Sequence, residues 1–315
     1  MKIISIIAIY FHLLYNIQII FYYVNIFTTL FILSDEISEQ INYKSEIHLL
    51  IIGQGNINIL NGTYMFEPSE VIINEESNNL CKKTCLFNKE INNVTLYFNE
   101  SVTTCENMFY NSTNLKEIYF SNFDFSNIIS TKNMFANCTN LKKIEFGSIN
   151  TSSLTNMESM FLNCSNLTSI DLSKFNTNKV ETFYSIFLNC ISLEAINLRN
   201  MNTSSSKSMI NFFLHCEKLE YIDISSFDTS SVTDMTHMFF HCYSLKIIIF
   251  PDVFDISNVE NMHAIFSHCF SLIALNLSVF HLNRNVDNGY MFHNCKNLKY
   301  IDLSNFPFIE ITIYE

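Results

Sequence analysis

From about residue 107 onward, two patterns of apolar and polar positions alternate, and the pair returns every 26 residues. In the first, apolar residues stand at strand spacing, as in Leu167, Ile170 and Leu172, with polar Ser169 and Asp171 near them. In the second they step by three and four, as in Val232, Met235, Met238, Phe239 and Cys242, which is the spacing of one helix face. Between them lies a polar corner such as Asp228-Thr229-Ser230-Ser231, whose short oxygens suit a helix amino-terminal cap. The cysteines Cys138, Cys164, Cys190, Cys216, Cys242, Cys269 and Cys295 fix the period, with spacings of 26, 26, 26, 26, 27 and 26. A degenerate earlier copy starts at Met108-Phe109, with Ser112 in the cysteine slot. A fixed period of this size predicts a solenoid. The expected fold is an α/β solenoid, a leucine-rich-repeat-like stack of strand, corner and helix units over residues 107–315.

The flanks read differently. Residues 3–33 are almost wholly apolar behind Lys2, which predicts a hydrophobic helix at 1–34 acting as a signal peptide or a signal anchor. The acidic stretch after it, from Asp35 to Glu39, favours the repeats outside the cell. Residues 35–106 lack the repeat and carry short strand-like runs at 46–53, 70–73 and 94–98, so they are expected to form a β-rich amino-terminal cap. The end of the chain, Phe306 to Tyr314, is expected to close the far face, or else to leave a sheet edge open.

A net charge of −12 argues against nucleic acid as a partner. The chain has no glycine-rich phosphate loop, no Gly-x-Ser-x-Gly elbow and no His-Glu-x-x-His, so neither an enzyme nor a cofactor is expected. The repeat, most fully Phe227-Asp228-Thr229-Ser230-Ser231-Val232-Thr233-Asp234-Met235, resembles that of BspA-like leucine-rich-repeat surface proteins over about residues 107–306. That resemblance implies a cell-surface solenoid engaged in adhesion or partner recognition, and it carries no catalytic residues. Its departures include Phe212 for Met and an extra residue near Ile247-Ile248-Ile249-Phe250-Pro251, expected to mark a bulge or a wider corner.

The candidate partner-binding face is the outward side of the strands: Glu145, Ser169, Asp171, Asn197, Tyr221, Asp223, Asn276, Tyr300 and Asp302. Its partner would be a protein or a glycan at a cell surface; a self-associating coat is the competing expectation. The cysteine column is expected to be a buried column of small packing residues rather than a set of disulfides or a metal site. Cys81, Cys85 and Cys105 allow one disulfide whose pairing the sequence leaves open. His215, His241 and His268 fill the slot held earlier by Asn137, Asn163 and Asn189, and His237 stands four residues before His241. They are expected to form a surface column, not a metal site. Asn-x-Ser/Thr sequons, among them Asn61, Asn137, Asn163 and Asn276, are candidate glycosylation sites if the host route provides the modification.

Overall fold

The computed structural model describes residues 45–78, 80–281 and 286–304. The expected leader or anchor at 1–34 and the expected closing tail lie outside them. Among the described residues no helix is long and apolar enough to cross a membrane.

Six strands precede the repeats: β1 (Ser45–Ile52), β2 (Gly55–Asn58), β3 (Glu70–Ile73), β4 (Glu76–Ser77), β5 (Thr84–Phe87) and β6 (Ile91–Phe98). Alternation builds them: Ile47, Leu49 and Ile51 of β1 are buried, as are Val94, Leu96 and Phe98 of β6. The first coil contributes β7 (Leu115–Phe120) and the second β8 (Lys143–Phe146). β1 pairs antiparallel with β6 on one edge and with β7 on the other, while β7 pairs parallel with β8. The order β4-β3-β6-β1-β7-β8 is therefore one continuous sheet, and an antiparallel strand covers the first edge of the stack.

The later coils carry β9 (Ser169–Asp171), β10 (Ala195–Asn197), β11 (Tyr221–Asp223), β12 (Ile247–Ile249), β13 (Phe254–Asp255), β14 (Ala274–Asn276), β15 (Phe280–His281) and β16 (Tyr300–Asp302). The pairs β9–β10, β11–β12, β13–β15 and β14–β16 are parallel and in register. On another side of each coil, six parallel bridges link Ser130, Asn156, Thr182, Ser208, Asp234, Asn261 and Asp287 in turn. The molecule is a β-solenoid. The extra residue of the 27-residue coil is absorbed in the corner between β12 and β13, around Pro251.

The expected helices are absent among the described residues, and the solenoid is not a stack of strand–corner–helix units. The segment assigned to a helix is a run of turns interrupted every four residues by a left-handed backbone, as at His237 (φ 57) and His241 (φ 61). Between those points alternate N–H groups bond locally: Met238 to the Met235 carbonyl at 3.1 Å, Phe240 to His237 at 3.2 Å. The intervening N–H groups reach the next coil: His237 to His263 at 3.0 Å, Phe239 to Ile265 at 2.9 Å, His241 to Ser267 at 3.0 Å. A turn repeated every four residues places side chains inward at helix-like spacing. That is why the periodicity misled.

The inside is a set of columns, several of them built from one residue type. Phe109, Phe135, Phe161, Phe187 and Phe213 stack with ring centroids 5.6, 5.7, 5.2 and 5.7 Å apart and nearly parallel planes. Phe239, Phe266 and Phe292 continue the stack. Thr177, Thr203 and Thr229 are buried, and each hydroxyl donates to a carbonyl of the next coil at 2.7 Å. A left-handed column runs through Asn111, Asn137, Asn163 and Asn189, with φ near 60. Asparagine tolerates this conformation better than most residues. Its amides also form a ladder: Asn163 Nδ2 donates to Asn137 Oδ1 at 2.6 Å, and Asn189 Nδ2 donates to Asn163 Oδ1 at 2.7 Å.

Asn163 therefore tests both roles. Asn163→Gly keeps the left-handed backbone and loses two amide bonds, and is expected to cost about 1–2 kcal/mol. Asn163→Val adds backbone strain and should cost about 2–4 kcal/mol. Urea denaturation of the two variants beside the parent checks the order.

Candidate binding face

The strands are three residues long in most coils, so each presents two side chains outward, and stacking turns these into two columns. The first column pairs Glu117 with Lys143, Ser169 with Ala195, Tyr221 with Ile247, and Ala274 with Tyr300. The second pairs Tyr119 with Glu145, Asp171 with Asn197, Asp223 with Ile249, and Asn276 with Asp302. Of the nine residues singled out from the sequence, Asn197 and Asp223 are half-buried and the other seven are exposed.

The second column has work in the fold itself. The side-chain Oδ1 of Asp171 accepts the Ser173 N–H at 2.9 Å, and Asp223 accepts that of Ser225 at 3.0 Å. Asn197, Asn276 and Asp302 do the same for Arg199, Ser278 and Ser304. Each closes an Asx turn that starts the corner after the strand. Partial burial opposes ionisation of Asp171, but the hydroxyl and N–H of Ser173 outweigh it and hold the carboxyl below its ordinary value. The hydroxyl and N–H of Ser225 do the same for Asp223. At the amino-terminal end, Glu145 pairs with Lys143, and Tyr119 donates to Glu117 at 2.6 Å.

The unexpected part of the face is apolar. Tyr221, Ile247, Ile249, Ile273 and Tyr300 are 50, 51, 40, 50 and 71 % exposed. Tyr221, Ile247, Ala274 and Tyr300 form the first column through four coils, and Ile249 stands beside Ile247 in the second. Ion pairs border them: Lys246 with Glu220 at 2.7 Å and Lys218 with Glu194 at 3.4 Å. A hollow of about 420 Å³ opens at this border, lined by Glu194, Lys218, Glu220, Tyr221 and Ser244. Sequence reasoning found Tyr221 and Tyr300 and passed over the isoleucines. The signal was Ile247-Ile248-Ile249, a β-branched run without the alternation of the other coils.

The cysteine column lies inside. Cys138 through Cys269 are buried free thiols, and Cys295 is partly covered. Each Sγ donates to a phenylalanine carbonyl of the preceding coil, as Cys164 to Phe135 and Cys190 to Phe161, both at 3.2 Å. Burial pushes the Cys138 thiol up to about 12 and Cys295 to about 11. In the amino-terminal region Cys81 and Cys85 are joined as a disulfide, with Cα atoms 5.1 Å apart, and Cys105 is a buried thiol. His215, His241 and His268 continue the left-handed asparagine column, with φ of 60, 61 and 62. The four-residue step from His237 to His241 is not a helix pair, because both residues are left-handed. Among the described residues no group of three or more histidine, cysteine or acidic side chains is arranged to hold a metal. The amides of Asn137 and Asn163 are taken up by the ladder, which competes with any sugar at those sequons.

A repeating coil of this kind should match a family in overlapping registers, and it does. The family described as Mycoplasma protein of unknown function, DUF285, matches residues 75–196, 103–221 and 183–306. The chain belongs to the DUF285 family. The matched residues run from the amino-terminal sheet to just past β16, so the DUF285 match covers the coils together with part of that sheet. No curated protein matches the chain.

Two outcomes are expected. Asp171→Ala should lower stability by about 0.5–1.5 kcal/mol through the lost corner bond. Asp171→Asn should restore most of it, since Asn197 and Asn276 fill the same role; thermal melting of both variants decides. The buried thiols should resist iodoacetamide at pH 8 in the folded protein and react on denaturation, read by mass spectrometry.

Proposed function

We propose that this DUF285 protein is a non-enzymatic recognition protein of the cell exterior that binds another protein through the strand face of its later coils. The observation that carries this reading is the exposed apolar column of Tyr221, Ile247 and Tyr300 with Ile249 and Ile273 beside it. Contiguous apolar surface rimmed by charge is characteristic of protein docking sites. Aliphatic isoleucines offer nothing to sugar hydroxyls, so a protein fits this patch better than a glycan. The residues around it are fixed by the coil ladder, which keeps the ordering cost of binding low. The apolar run at 3–33 and the Cys81–Cys85 disulfide agree with export to an oxidising compartment. The resemblance of the repeat to BspA-like surface proteins supports the same role. Sheet sites such as Asp171 and Asp223 contribute shape and charge, since their oxygens are already engaged at the corners.

The triple variant Tyr221→Ser, Ile247→Ser, Tyr300→Ser should bind intact target cells at least tenfold more weakly than the parent, with an unchanged melting temperature. A tenfold loss corresponds to about 1.4 kcal/mol, modest for three central contacts. Protease treatment of the cells should abolish binding, whereas loss on glycosidase treatment alone would point to a glycan. Equal binding by variant and parent sinks the reading. A parent that sediments as an oligomer and a variant that sediments as a monomer would instead favour a self-associating coat.

A further inference from the structure

We propose that His215, His241 and His268 form an acid-opened latch, which ties the later coils together at neutral pH and releases them in acid. The latch lies in the left-handed column whose earlier members are asparagines. There the rungs are amide bonds that do not titrate, 2.8 Å from Asn137 to Asn111 and 2.6 Å from Asn163 to Asn137. In the later coils imidazoles replace the amides, and Asn294 ends the column.

Hydrogen-bond geometry fixes which ring nitrogen carries the proton. Ser267 Oγ donates to the His293 carbonyl at 3.2 Å, so it accepts from His268 Nδ1 at 2.9 Å. His268 Nε2 is then a lone pair, and it accepts from Asn294 Nδ2 at 3.0 Å. His215 Nδ1 faces the Glu217 carboxylate at 3.3 Å and donates to it. Its Nε2 is left to accept from His241 Nδ1 at 3.1 Å. A second proton on His215 or His268 must go to that Nε2, which turns an acceptor into a donor facing another donor. The Asn294 rung is then regained only by turning that side-chain amide over, and the His241 rung only by moving the His241 proton to Nε2, away from the rung. Charge adds to this, because the His241 ring centre lies 4.3 Å from that of His215 and 4.4 Å from that of His268.

The surroundings supply little relief. Tyr243 places its hydroxyl 3.1 Å from His241 Nδ1, and Phe240 stacks on that ring at 4.0 Å. Lys296 and His293 add positive charge near His268. Glu217 favours the proton His215 already carries. Asp234 acts on His237, and Asp287 lies 3.8 Å from His263, in the two registers alongside. Burial first, then His215, His268 and His237, hold His241 down to about 4. Burial first, then His293 and Lys296, lower His268; burial and then His263 lower His237. With folded values below the ordinary one, the stability they contribute is present above about pH 6.5 and is lost as pH falls toward 4. The same coils carry Tyr221, Ile247 and Tyr300. If the recognition reading above holds, acid therefore also unsettles that face.

Amide hydrogen exchange on the full chain at pH 7.5 and 5.0, corrected for intrinsic rates, tests the latch. Protection in residues 212–298 should fall at least tenfold in acid, while that of residues 134–190 changes less than twofold. H241N/H268N, which extends the asparagine ladder, should remove most of the difference and leave only the part that His237 contributes. Equal losses in parent and variant, or a uniform loss along the chain, would overturn the proposal. Nuclear magnetic resonance titration of the parent gives a second readout that needs no variant. There, His241 or His268 titrating at or above the ordinary histidine value would overturn it alone. No ligand enters either experiment, so failure here leaves the recognition reading standing.

Discussion

Everything in this molecule depends on the backbone N–H groups that leave one coil and bond to the next. A 26-residue coil with strands of three residues has little secondary structure of its own. In the turn run, every second N–H is spent on a local turn and the others cross to the neighbouring coil, as from Asn133 to Glu158 and Phe135 to Met160. That alternation requires a left-handed residue every four positions, and asparagine, serine and histidine fill most of those positions. The requirement explains the asparagine and histidine columns before any function is invoked.

The same constraint sorts the side chains. A residue that recurs at one register meets its own kind above and below, so aromatic rings stack, amides form ladders, and threonine and cysteine protons go to carbonyls of adjacent coils. Most polar groups placed inside are satisfied by the repeat itself, which is why a buried column of thiols and hydroxyls is tolerated; the Oγ of Ser112, in the cysteine slot of the first coil, is an exception. Along the outer strand face the second column serves the corners through Asx turns at Asp171, Asn197, Asp223, Asn276 and Asp302, so those positions hold aspartate or asparagine. The first column has no such duty, and it is there that tyrosine and isoleucine replace serine, lysine and alanine in the later coils. Freedom from a structural role is what lets that column carry specificity.

Much of the coil was legible from residues alone. The cysteine spacing located seven repeats and Met108-Phe109 the degenerate first one, and Leu167, Ile170 and Leu172 marked the inward side of the strand correctly. The strands expected at 46–53, 70–73 and 94–98 correspond to β1, β3 and β6. The helix reading of Val232, Met235, Met238, Phe239 and Cys242 failed because three- and four-residue steps fit both a helix and a chain of four-residue turns. The face residues Asp171 and Asp223 were placed outward, but their tie to Ser173 and Ser225 depends on how the corner bends. The isoleucine patch was missed because Ile247-Ile248-Ile249 lacks the apolar–polar alternation that marked the outward positions in the other coils.

The sequence by itself determined the period, the inward and outward positions of the strands, and the recurrence of phenylalanine and cysteine at fixed registers. These follow from spacing, and spacing is written in the chain. The tertiary structure decided whether each N–H bonds within its coil or across to the next, and hence turns rather than helices. It decided too that Tyr221, Ile247 and Tyr300 share one exposed column and that three histidines stand ring against ring. Those contacts join residues 26 or more positions apart, and only the stacking of coils brings them within reach.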